Sequence, residues 1–375
     1  MSGTSLDGLD IALCRVTDSG PNTSLDLLRF ETKGYTDDFR SRIRQVFALQ
    51  TVDQQLLCGL HPLIGRVHGA MVNDTLREWG ISPEAIDLIA SHGQTVFHAP
   101  QSLTGSTDYP NSTMQLGDGD HLAVATDIIT VSDFRQKHLA AGGEGAPLAA
   151  YGDNLLFAAP QETRVLLNIG GIANFTLLPA TAYHADSFAT DVGPGNSLMN
   201  QYMQWKQGEE MDLDGRMASA GMVNQPLLDA LLDHNFFRLP FPKTTGPELF
   251  NLPYLTDAQH ASGTENLSIP DVMATLTAFS ASAISTSILH AVQQRSNPHV
   301  YISGGGLHNP VLVDLITRGL KGVPVSSFEK LGLMPDAKEA ALFALLANET
   351  VAGSTNNVPI NGAPAVYMGK ISFPK

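Results

Sequence analysis

Apolar positions along the chain fall into short runs typical of buried strands and longer runs with helical spacing. The short runs are each followed by turn residues and predict strands at Ile86–Ala90, Ile128–Ser132, 164–168 and Val300–Ile302. Helical spacing predicts helices within 36–80, at His121–Thr126, from Asn196 through Trp205 and over about 270–295. Because strands alternate with helices, the chain is predicted to be an α/β protein with mixed sheets.

Several finer features follow from the same pattern. The long helix over about 270–295 has its core residues predicted at Met273, Leu276, Phe279, Ile284 and Ile288. A further helix is expected to begin at Asn309–Pro310, because a capping residue precedes a proline. Stretches without either period are predicted to be loops or irregular, at 101–113, 140–147 and 236–254.

The chain has 375 residues, which is too long for one ordinary core. The expected domains are 1–130, joined by 352–375, and 131–351. A net charge of −15 argues against a nucleic-acid or anionic-membrane partner. No signal peptide or apolar run of membrane-spanning length is recognised. Cys14 and Cys58 lack metal or redox spacing and are expected to be small buried side chains, so a cytoplasmic location is expected.

Three glycine-rich clusters adjoin predicted strands. The segment Gly3 to Asp10 precedes an apolar run, Asn168 to Asn174 lies between two runs, and Gly304 to Gly306 follows Val300–Ile302. Glycine allows the backbone to approach a ligand, and such turns hold phosphate oxygens with backbone N–H groups. Neither a P-loop nor a dinucleotide fingerprint is present. Glycine also marks tight turns without any ligand, which is the alternative for each cluster.

Four charged side chains are candidates for chemistry. Asp191 ends a predicted strand before Gly193-Pro194-Gly195 and suits a general base, although a turn or capping role is the alternative. Asp7 is preferred to Asp10 as a Mg²⁺ ligand. Arg135 suits a bidentate clamp on a carboxylate. Glu339 opens an apolar helix, where favourable placement at a helix N-terminus is the alternative.

Taken together, these segments resemble the anhydro-N-acetylmuramic acid kinase family in order and spacing over nearly the whole chain. The matching motifs are Met1 to Asp10, Ser91 to Thr95, Asp133 to Arg135, Gly142 to Leu148, Leu167 to Gly171, Asp191 to Asn196 and Ser303 to Gly306. The first and sixth are specific in combination, and the others support them.

The resemblance implies two ribonuclease-H-like domains of the actin/hexokinase/Hsp70-like superfold around a cleft that closes on ATP. It implies a reaction in which ATP and water convert 1,6-anhydro-N-acetylmuramic acid into N-acetylmuramic acid 6-phosphate during peptidoglycan recycling. The implied cofactors are ATP and Mg²⁺, and the implied partners are the sugar and ATP, without nucleic acid or membrane. A homodimer is the candidate oligomeric state.

The resemblance also implies roles for individual residues. Asp191 and Glu339 are the implied catalytic residues, with Asp191 as the general base that activates water, and Asp7 is the implied metal ligand. The implied sugar contacts are His92, Arg135, Gly143 and Asn196. The implied nucleotide contacts are Gly3, Thr4, Ser5, Leu6, Asp7, Gly8, Leu9, Asp10, Gly170, Gly171, Asn174, Gly304, Gly305, Gly306 and Asn309.

Two departures and two alternatives accompany this interpretation. Family members have a short strand before the Met1 motif, and they have an aspartate where this chain has His138. One alternative is an ordinary sugar kinase of the same superfold, in which Asp191 deprotonates an open hydroxyl. The other is a nucleotide-switched binding protein, because one superfold hosts several functions.

Overall fold

The computed structural model describes residues 1–3, 6–105, 107–145, 148–180, 186–246, 248–353 and 366–375. By its internal contacts the chain divides into two compact units. Unit 1 consists of Met1–Leu156 and Asp336–Lys375, and unit 2 consists of Phe157–Pro335.

Strands and helices are interspersed along the described residues. The strands are β1 (Gly8–Thr17), β2 (Ser24–Gly34), β3 (Ile89–Ser91), β4 (Gln94–Ala99), β5 (Ser112–Leu116), β6 (Thr130–Ser132), β7 (Thr163–Ile169), β8 (Ile172–Leu178), β9 (Phe188–Pro194), β10 (Pro298–Ser303), β11 (Val325–Ser327) and β12 (Lys370–Ser372). The α-helices are α1 (Asp37–Arg44), α2 (Gln54–Trp79), α3 (Gln101–Thr104), α4 (Gly119–Thr126), α5 (Phe134–Ala140), α6 (Ala149–Phe157), α7 (Ser197–Gln207), α8 (Arg216–Ala220), α9 (Gln225–Leu232), α10 (Leu252–Ser262), α11 (Ile269–Val292), α12 (Pro310–Gly319) and α13 (Lys338–Ala352).

Strand pairing explains where the boundaries of unit 1 lie. β6 pairs in parallel with β3 and antiparallel with β12, and α13 packs against β1 and β3. The stretches 131–156 and 336–351 therefore belong to unit 1. The boundaries of the compact units thus differ from those expected after residues 130 and 351.

In unit 1, the antiparallel pair β1–β2 and the short strand β3 line a cavity of about 600 Å³. Residues of α2, of α13 and of the stretch 81–88 before β3 also line it. Ser2 lies between β1 and β4, with an antiparallel bridge to Leu9 of β1 and a parallel bridge to Gln94 of β4. The first residues of the chain are thus held by two backbone partners.

Unit 2 is built on one five-stranded sheet in the order β11-β10-β7-β8-β9. β7, β8 and β9 form an antiparallel meander, and β10 and β11 extend it in parallel from β7. Helix α11 packs against β9 and buries its predicted core residues, each at most 1% exposed: Met273, Leu276, Phe279, Ile284 and Ile288. That prediction is confirmed.

By length and composition alone, helix α11 is long and apolar enough to cross a membrane, with a mean hydropathy of 1.5. This corrects the expectation that the chain holds no such segment. However, 78% of the apolar 18-residue stretch of this helix is buried within the protein, as in a core helix. A helix that is buried on nearly all sides needs small and apolar side chains all round, so its hydropathy resembles that of a membrane-spanning helix.

Other local expectations are corrected by the structure. β3 begins at Ile89 rather than Ile86, and the region 101–113 contains α3 and the start of β5. The irregular stretch 236–254 ends in α10, because Asn251 caps the helix by accepting a 3.1 Å hydrogen bond from the Tyr254 amide. Ala146 and Pro147, in the predicted loop 140–147, lie outside the described residues.

The two cysteines differ from each other in burial. Cys14 is half-buried, and burial raises the pKa of its thiol to about 12, so the thiol stays protonated. Cys58 is exposed on α2, which contradicts the expectation that both are buried. The reason is that the apolar face of α2 passes through other positions, such as Leu60 and Ile64.

Candidate functional groups in each unit

In unit 1, the first glycine segment is partly strand rather than turn. Thr4 and Ser5 lie outside the described residues, and β1 already begins at Gly8. The side chains of Leu6 and Leu9 are buried in the hydrophobic core. These two predicted nucleotide contacts therefore have only backbone groups to offer a ligand.

The two aspartates of this segment have different surroundings. Asp10 lies on β1 opposite Thr32, whose hydroxyl donates a 2.6 Å hydrogen bond to its carboxylate. Asp7 is exposed, and its carbonyl accepts a 3.0 Å hydrogen bond from the Tyr35 amide. Exposure suits a ligand of Mg²⁺, which keeps several waters and binds through one or two carboxylates.

A buried chain of hydrogen bonds leads to Gly3. The Tyr35 hydroxyl lies 2.7 Å from His68 Nε2 and donates to Ser2 Oγ at 2.7 Å. Ser2 Oγ donates to Gln94 Oε1, and Gln94 Nε2 donates to the Gly3 carbonyl at 3.1 Å. Burial lowers the pKa of His68 to about 3, so its ring is neutral. The sequence did not predict this series of hydrogen bonds, because the polar residues that form it are far apart in sequence.

Arg135 and His92, both predicted as sugar contacts, are brought together. The Nε of Arg135 donates to His92 Nε2 at 3.0 Å, and its Nη1 donates to the Gly145 carbonyl at 2.7 Å. Burial and the charge of Arg135 hold the pKa of His92 well below its ordinary value. The neutral ring therefore accepts from the guanidinium and fixes its orientation.

His138 supports the loop that carries Gly143. The backbone amide of Gly145 donates to His138 Nδ1 at 2.9 Å. A Cβ atom at Gly143 would lie 2.1 Å from the His138 ring, so only glycine fits above it. Burial and the charge of Arg135 lower the pKa of His138, which keeps Nδ1 an acceptor. His138 thus fixes the conformation of this loop by binding the Gly145 amide and packing against Gly143.

Glu339 lies in the first turn of α13 and acts electrostatically on Arg135. Burial lowers the pKa of the Arg135 guanidinium, and the negative charge of Glu339 opposes that shift. Unit 1 therefore brings together three predicted site residues: Arg135, His92 and Glu339.

In unit 2, a row of polar residues crosses the sheet. Ser303 on β10 pairs with Asn168 on β7, Asn168 pairs with Asn174 on β8, and Asn174 pairs with Asp191 on β9. Residues directly opposite each other on neighbouring strands present their side chains on the same face. Asn174 and Asp191, both predicted site residues, are therefore neighbours in this row.

The second glycine turn is tied to the end of β9. Gly170 and Gly171 connect β7 to β8. The amide of Gly195 donates a 2.8 Å hydrogen bond to the Gly171 carbonyl, and the amide of Asn196 donates one of 2.8 Å to the Gly170 carbonyl. The Asn196 side chain also donates to the Ile169 carbonyl at 3.3 Å. Asp191, further back on β9, pairs with Asn174, which follows the turn on β8.

The third glycine cluster packs against the same turn. Gly304 has a φ of +84°, and a Cβ atom there would lie 2.6 Å from the Asn168 side-chain oxygen. Gly305 is exposed, whereas Gly306 is buried. Asn309 caps α12 as predicted, and its side-chain oxygen accepts a backbone amide of that helix at 3.1 Å. The side-chain oxygen of Asn309, a predicted nucleotide contact, is therefore already used in capping α12.

Asp191 is held at its backbone and at one carboxylate oxygen. Its amide donates to the Lys243 carbonyl at 2.9 Å, and the Thr245 amide donates to Asp191 Oδ2 at 2.9 Å. Burial raises the pKa of Asp191, the Thr245 hydrogen bond lowers it, and the charge of Glu248 raises it. The net shift is upward, which suits a proton acceptor.

The exposed carboxylate of Asp7 is of the kind that can hold a Mg²⁺ ion. The described residues contain no group of three or more His, Cys, Asp or Glu side chains suited to holding a metal ion. A Mg²⁺ ion bound with nucleotide needs fewer, since phosphates and water complete its shell. At Gly304 the atoms that a Cβ would meet belong to Asn168 and Ile169, so packing within unit 2 requires glycine there.

Comparison with known proteins gives a consistent result over the whole chain. The family model described as "Anhydro-N-acetylmuramic acid kinase" matches residues 1–373. A protein of that name from Pseudoalteromonas atlantica is 51% identical over 379 aligned residues, covering 100% of this chain and 94% of its own length. One from Caldanaerobacter subterraneus is 38% identical over 382 residues, covering 100% and 96%.

Likeness to solved structures is weaker. An activator of the 2-hydroxyisocaproyl-CoA dehydratase from Clostridium difficile, with bound ADPNP, covers 93% of this chain and 98% of its own. Its TM-score is 0.41 and its sequence identity is 14%, so the likeness is distant. The succession of strands and helices and the mixed five-stranded sheet confirm the predicted α/β class.

Proposed function

Because the chain belongs to the anhydro-N-acetylmuramic acid kinase family, we propose that it uses ATP to phosphorylate 1,6-anhydro-N-acetylmuramic acid. The same reaction consumes water and yields N-acetylmuramic acid 6-phosphate. The observation that carries the proposal is the full-length match, with 51% identity to a relative of that name. The groups around Asp191 and Arg135 supply chemistry suited to it.

We propose that each unit is one ribonuclease-H-like domain. The support in unit 2 is its antiparallel meander β9-β8-β7, extended by the parallel strands β10 and β11. In unit 1, the antiparallel pair β1–β2 and the parallel pair β3–β6 supply the corresponding elements.

The glycine clusters are proposed to contact ATP through the backbone. In unit 1 the contacts come from the segment Gly3 to Asp10, and in unit 2 from Gly170, Gly171 and the cluster Gly304 to Gly306. Asp7 is the proposed protein ligand of Mg²⁺, because its carboxylate is exposed at the head of β1. Bound Mg²⁺ supplies positive charge that stabilises the transferring phosphoryl group.

The sugar is proposed to bind through Arg135, His92, Gly143 and Asn196. Muramic acid carries a lactyl carboxylate, and a guanidinium matches a carboxylate in a planar two-point contact. The contacts of Arg135 with His92 and Gly145 use two of its five N–H donors. These two contacts hold the guanidinium in one orientation while its other donors bind the sugar.

Asp191 is the proposed general base. The water oxygen forms a bond to the anomeric carbon as its proton passes to Asp191, and the bond between that carbon and O6 breaks. O6 then forms a bond to the γ-phosphorus, and the bond from that phosphorus to the β-phosphate oxygen breaks, which releases ADP. Glu339, whose charge acts on Arg135, is the proposed second catalytic carboxylate.

The remaining expectations belong to the same proposal. We propose a cytoplasmic enzyme of peptidoglycan recycling that has small-molecule substrates and no nucleic-acid or membrane partner. The net charge of −15 supports the exclusion of polyanionic partners. A homodimer is the proposed oligomeric state.

The proposal is tested by incubating the protein with ATP, Mg²⁺ and 1,6-anhydro-N-acetylmuramic acid and by measuring ADP. We expect ADP release that depends on the anhydro-sugar and stays at background without it. N-acetylmuramic acid, which lacks the anhydro bridge, serves as the control acceptor. Absence of sugar-dependent ADP would refute the proposal, and equal use of the control acceptor would favour an ordinary sugar kinase.

A further inference from the structure

Lys243 in unit 2 is a buried cation surrounded by aromatic rings. Its side chain is 8% exposed, and Nζ lies 4.4 Å from the ring centroid of Phe236 and 5.5 Å from that of Phe241. Nζ donates a 2.9 Å hydrogen bond to the Phe236 carbonyl. No carboxylate of the described residues lies within 4.0 Å of this ammonium group. The proposed function gives no role to this charge.

The backbone of the same residue runs along the outer edge of β9. The Lys243 amide donates to the Thr190 hydroxyl at 3.0 Å, and the Asp191 amide donates to the Lys243 carbonyl at 2.9 Å. Two residues further on, the Thr245 amide donates to Asp191 Oδ2 at 2.9 Å. The segment 243–245 therefore contacts both the backbone and the carboxylate of Asp191.

A charged side chain is unusual in a buried position such as that of Lys243, where the ammonium group acts as an anchor for the segment 243–245. Burial of an ammonium group is unfavourable, and it lowers the pKa of Lys243. An apolar side chain of similar length would fill the space between the rings without that desolvation cost. What the ammonium adds is direction, because its N–H donor must meet the Phe236 carbonyl while its charge faces the rings. The charge thus fixes position rather than adding stability.

We propose that Lys243 is a positioning residue for Asp191, whose ammonium anchor keeps the Thr245 amide on one carboxylate oxygen. This proposal rests on the proposed role of Asp191 as the general base. Among the described residues no donor is bonded to the other oxygen, Oδ1. With Oδ2 held, Oδ1 is the oxygen that receives the proton of the attacking water.

Other titratable groups near this arrangement are few among the described residues. Glu248 follows the anchored segment, and its charge raises the pKa of Asp191. His290 of α11 packs its ring against Phe241 at 5.6 Å. Loss of the Lys243 anchor would release the Thr245 amide from Asp191. Because that hydrogen bond favours the ionised carboxylate, its loss raises the pKa of Asp191 further.

The test compares Lys243→Met with Lys206→Met. Lys206 also lies over an aromatic ring, that of Trp205, but it is exposed on α7. We expect Lys243→Met to lower kcat about tenfold, with unchanged KM for ATP and the acid limb of the pH profile moved to higher pH. Lys206→Met keeps the parent profile, and Lys243→Arg restores part of kcat because it retains a donor. A parent-like acid limb in Lys243→Met overturns the proposal, even if kcat falls.

A second variant covers the case in which Lys243→Met fails to fold. Thr190→Val removes the hydroxyl that binds the Lys243 backbone and leaves the rings of Phe236 and Phe241 around the ammonium group unchanged. It should shift the acid limb in the same direction by a smaller amount, and no shift overturns the proposal. A ¹³C NMR titration of the Asp191 carboxyl, assigned with Asp191→Asn, reads the pKa without turnover. This titration separates failure of the positioning role from failure of the proposed reaction.

Discussion

The amide of Thr245 donates a 2.9 Å hydrogen bond to one carboxylate oxygen of Asp191. This bond favours the ionised carboxylate, whereas burial and the charge of Glu248 favour the protonated one. Burial is the largest of these effects, so the pKa of Asp191 is raised above its ordinary value. Because its pKa is raised, the Asp191 carboxylate takes up a proton more readily than an exposed aspartate does.

Glu248→Gln should move the acid limb of the pH profile to lower pH. Asp191 must be ionised to act as a base, so activity falls as pH drops through its pKa. Removal of the Glu248 charge removes one cause of the raised pKa. The measurement is kcat/KM across the acid range, with the exposed Glu265→Gln as the matched control. An acid limb that stays in place, or moves upward, contradicts the assignment of this limb to Asp191.

Asp191→Asn should lower kcat by on the order of a thousandfold while ATP binding is kept. The exposed Asp257→Asn in α10 is the control and should turn over like the parent. Single-turnover kinetics and nucleotide titration measure the two properties separately. Near-normal turnover in Asp191→Asn would remove this residue from the proposed role.

The same variant should be more stable than the parent at neutral pH. The folded-state pKa of Asp191 is raised, so the native state binds its proton more tightly than the unfolded state does. Its contribution to stability is therefore fully present below the unfolded pKa and is lost as pH rises through the folded pKa. Asparagine avoids that loss. A urea midpoint of Asp191→Asn below that of the parent at neutral pH contradicts this account.

Arg135→Lys should raise KM for the anhydro-sugar about tenfold or more and leave KM for ATP unchanged. A lysine carries the charge but cannot contact His92, the Gly145 carbonyl and a substrate carboxylate as a planar fork does. Arg66→Lys, exposed on α2, is the control. If KM for the sugar does not change, Arg135 does not bind it.

Gly304→Ala should raise KM for ATP and destabilise unit 2. A Cβ atom at Gly304 would lie 2.6 Å from the Asn168 side-chain oxygen and 2.8 Å from the Ile169 carbonyl oxygen, at a φ of +84°. Gly208→Ala is the matched control, because its φ is +73° with no atom within 4 Å. The control should cost only the left-handed strain of about 1 kcal/mol. Equal unfolding free energies and equal KM values in the two variants contradict the prediction.

The sequence predicted well the features that depend on local pattern. The core face of α11, from Met273 to Ile288, follows from helical spacing within one segment. The cap at Asn309 and the turn at Gly170–Gly171 follow from residue types that the backbone requires there.

The features missed depend on contacts between distant segments. Lys243 and Thr245 meet Asp191 across more than 50 residues, within a stretch that shows neither helical nor strand spacing. The chain from His68 through Tyr35 to Ser2 likewise joins polar residues whose burial no local pattern reveals. Such contacts are set by tertiary packing, so propensity and periodicity do not detect them.

We propose that the protein opens the anhydro ring with water while it phosphorylates the sugar. The most direct measurement is the mass of the product formed from ATP and 1,6-anhydro-N-acetylmuramic acid, in ordinary and ¹⁸O-labelled water with rapid quenching. We expect a product heavier than the sugar by one phosphoryl group plus one water, with the label at the anomeric carbon. A product that gains a phosphoryl group without water, or no product, contradicts the account.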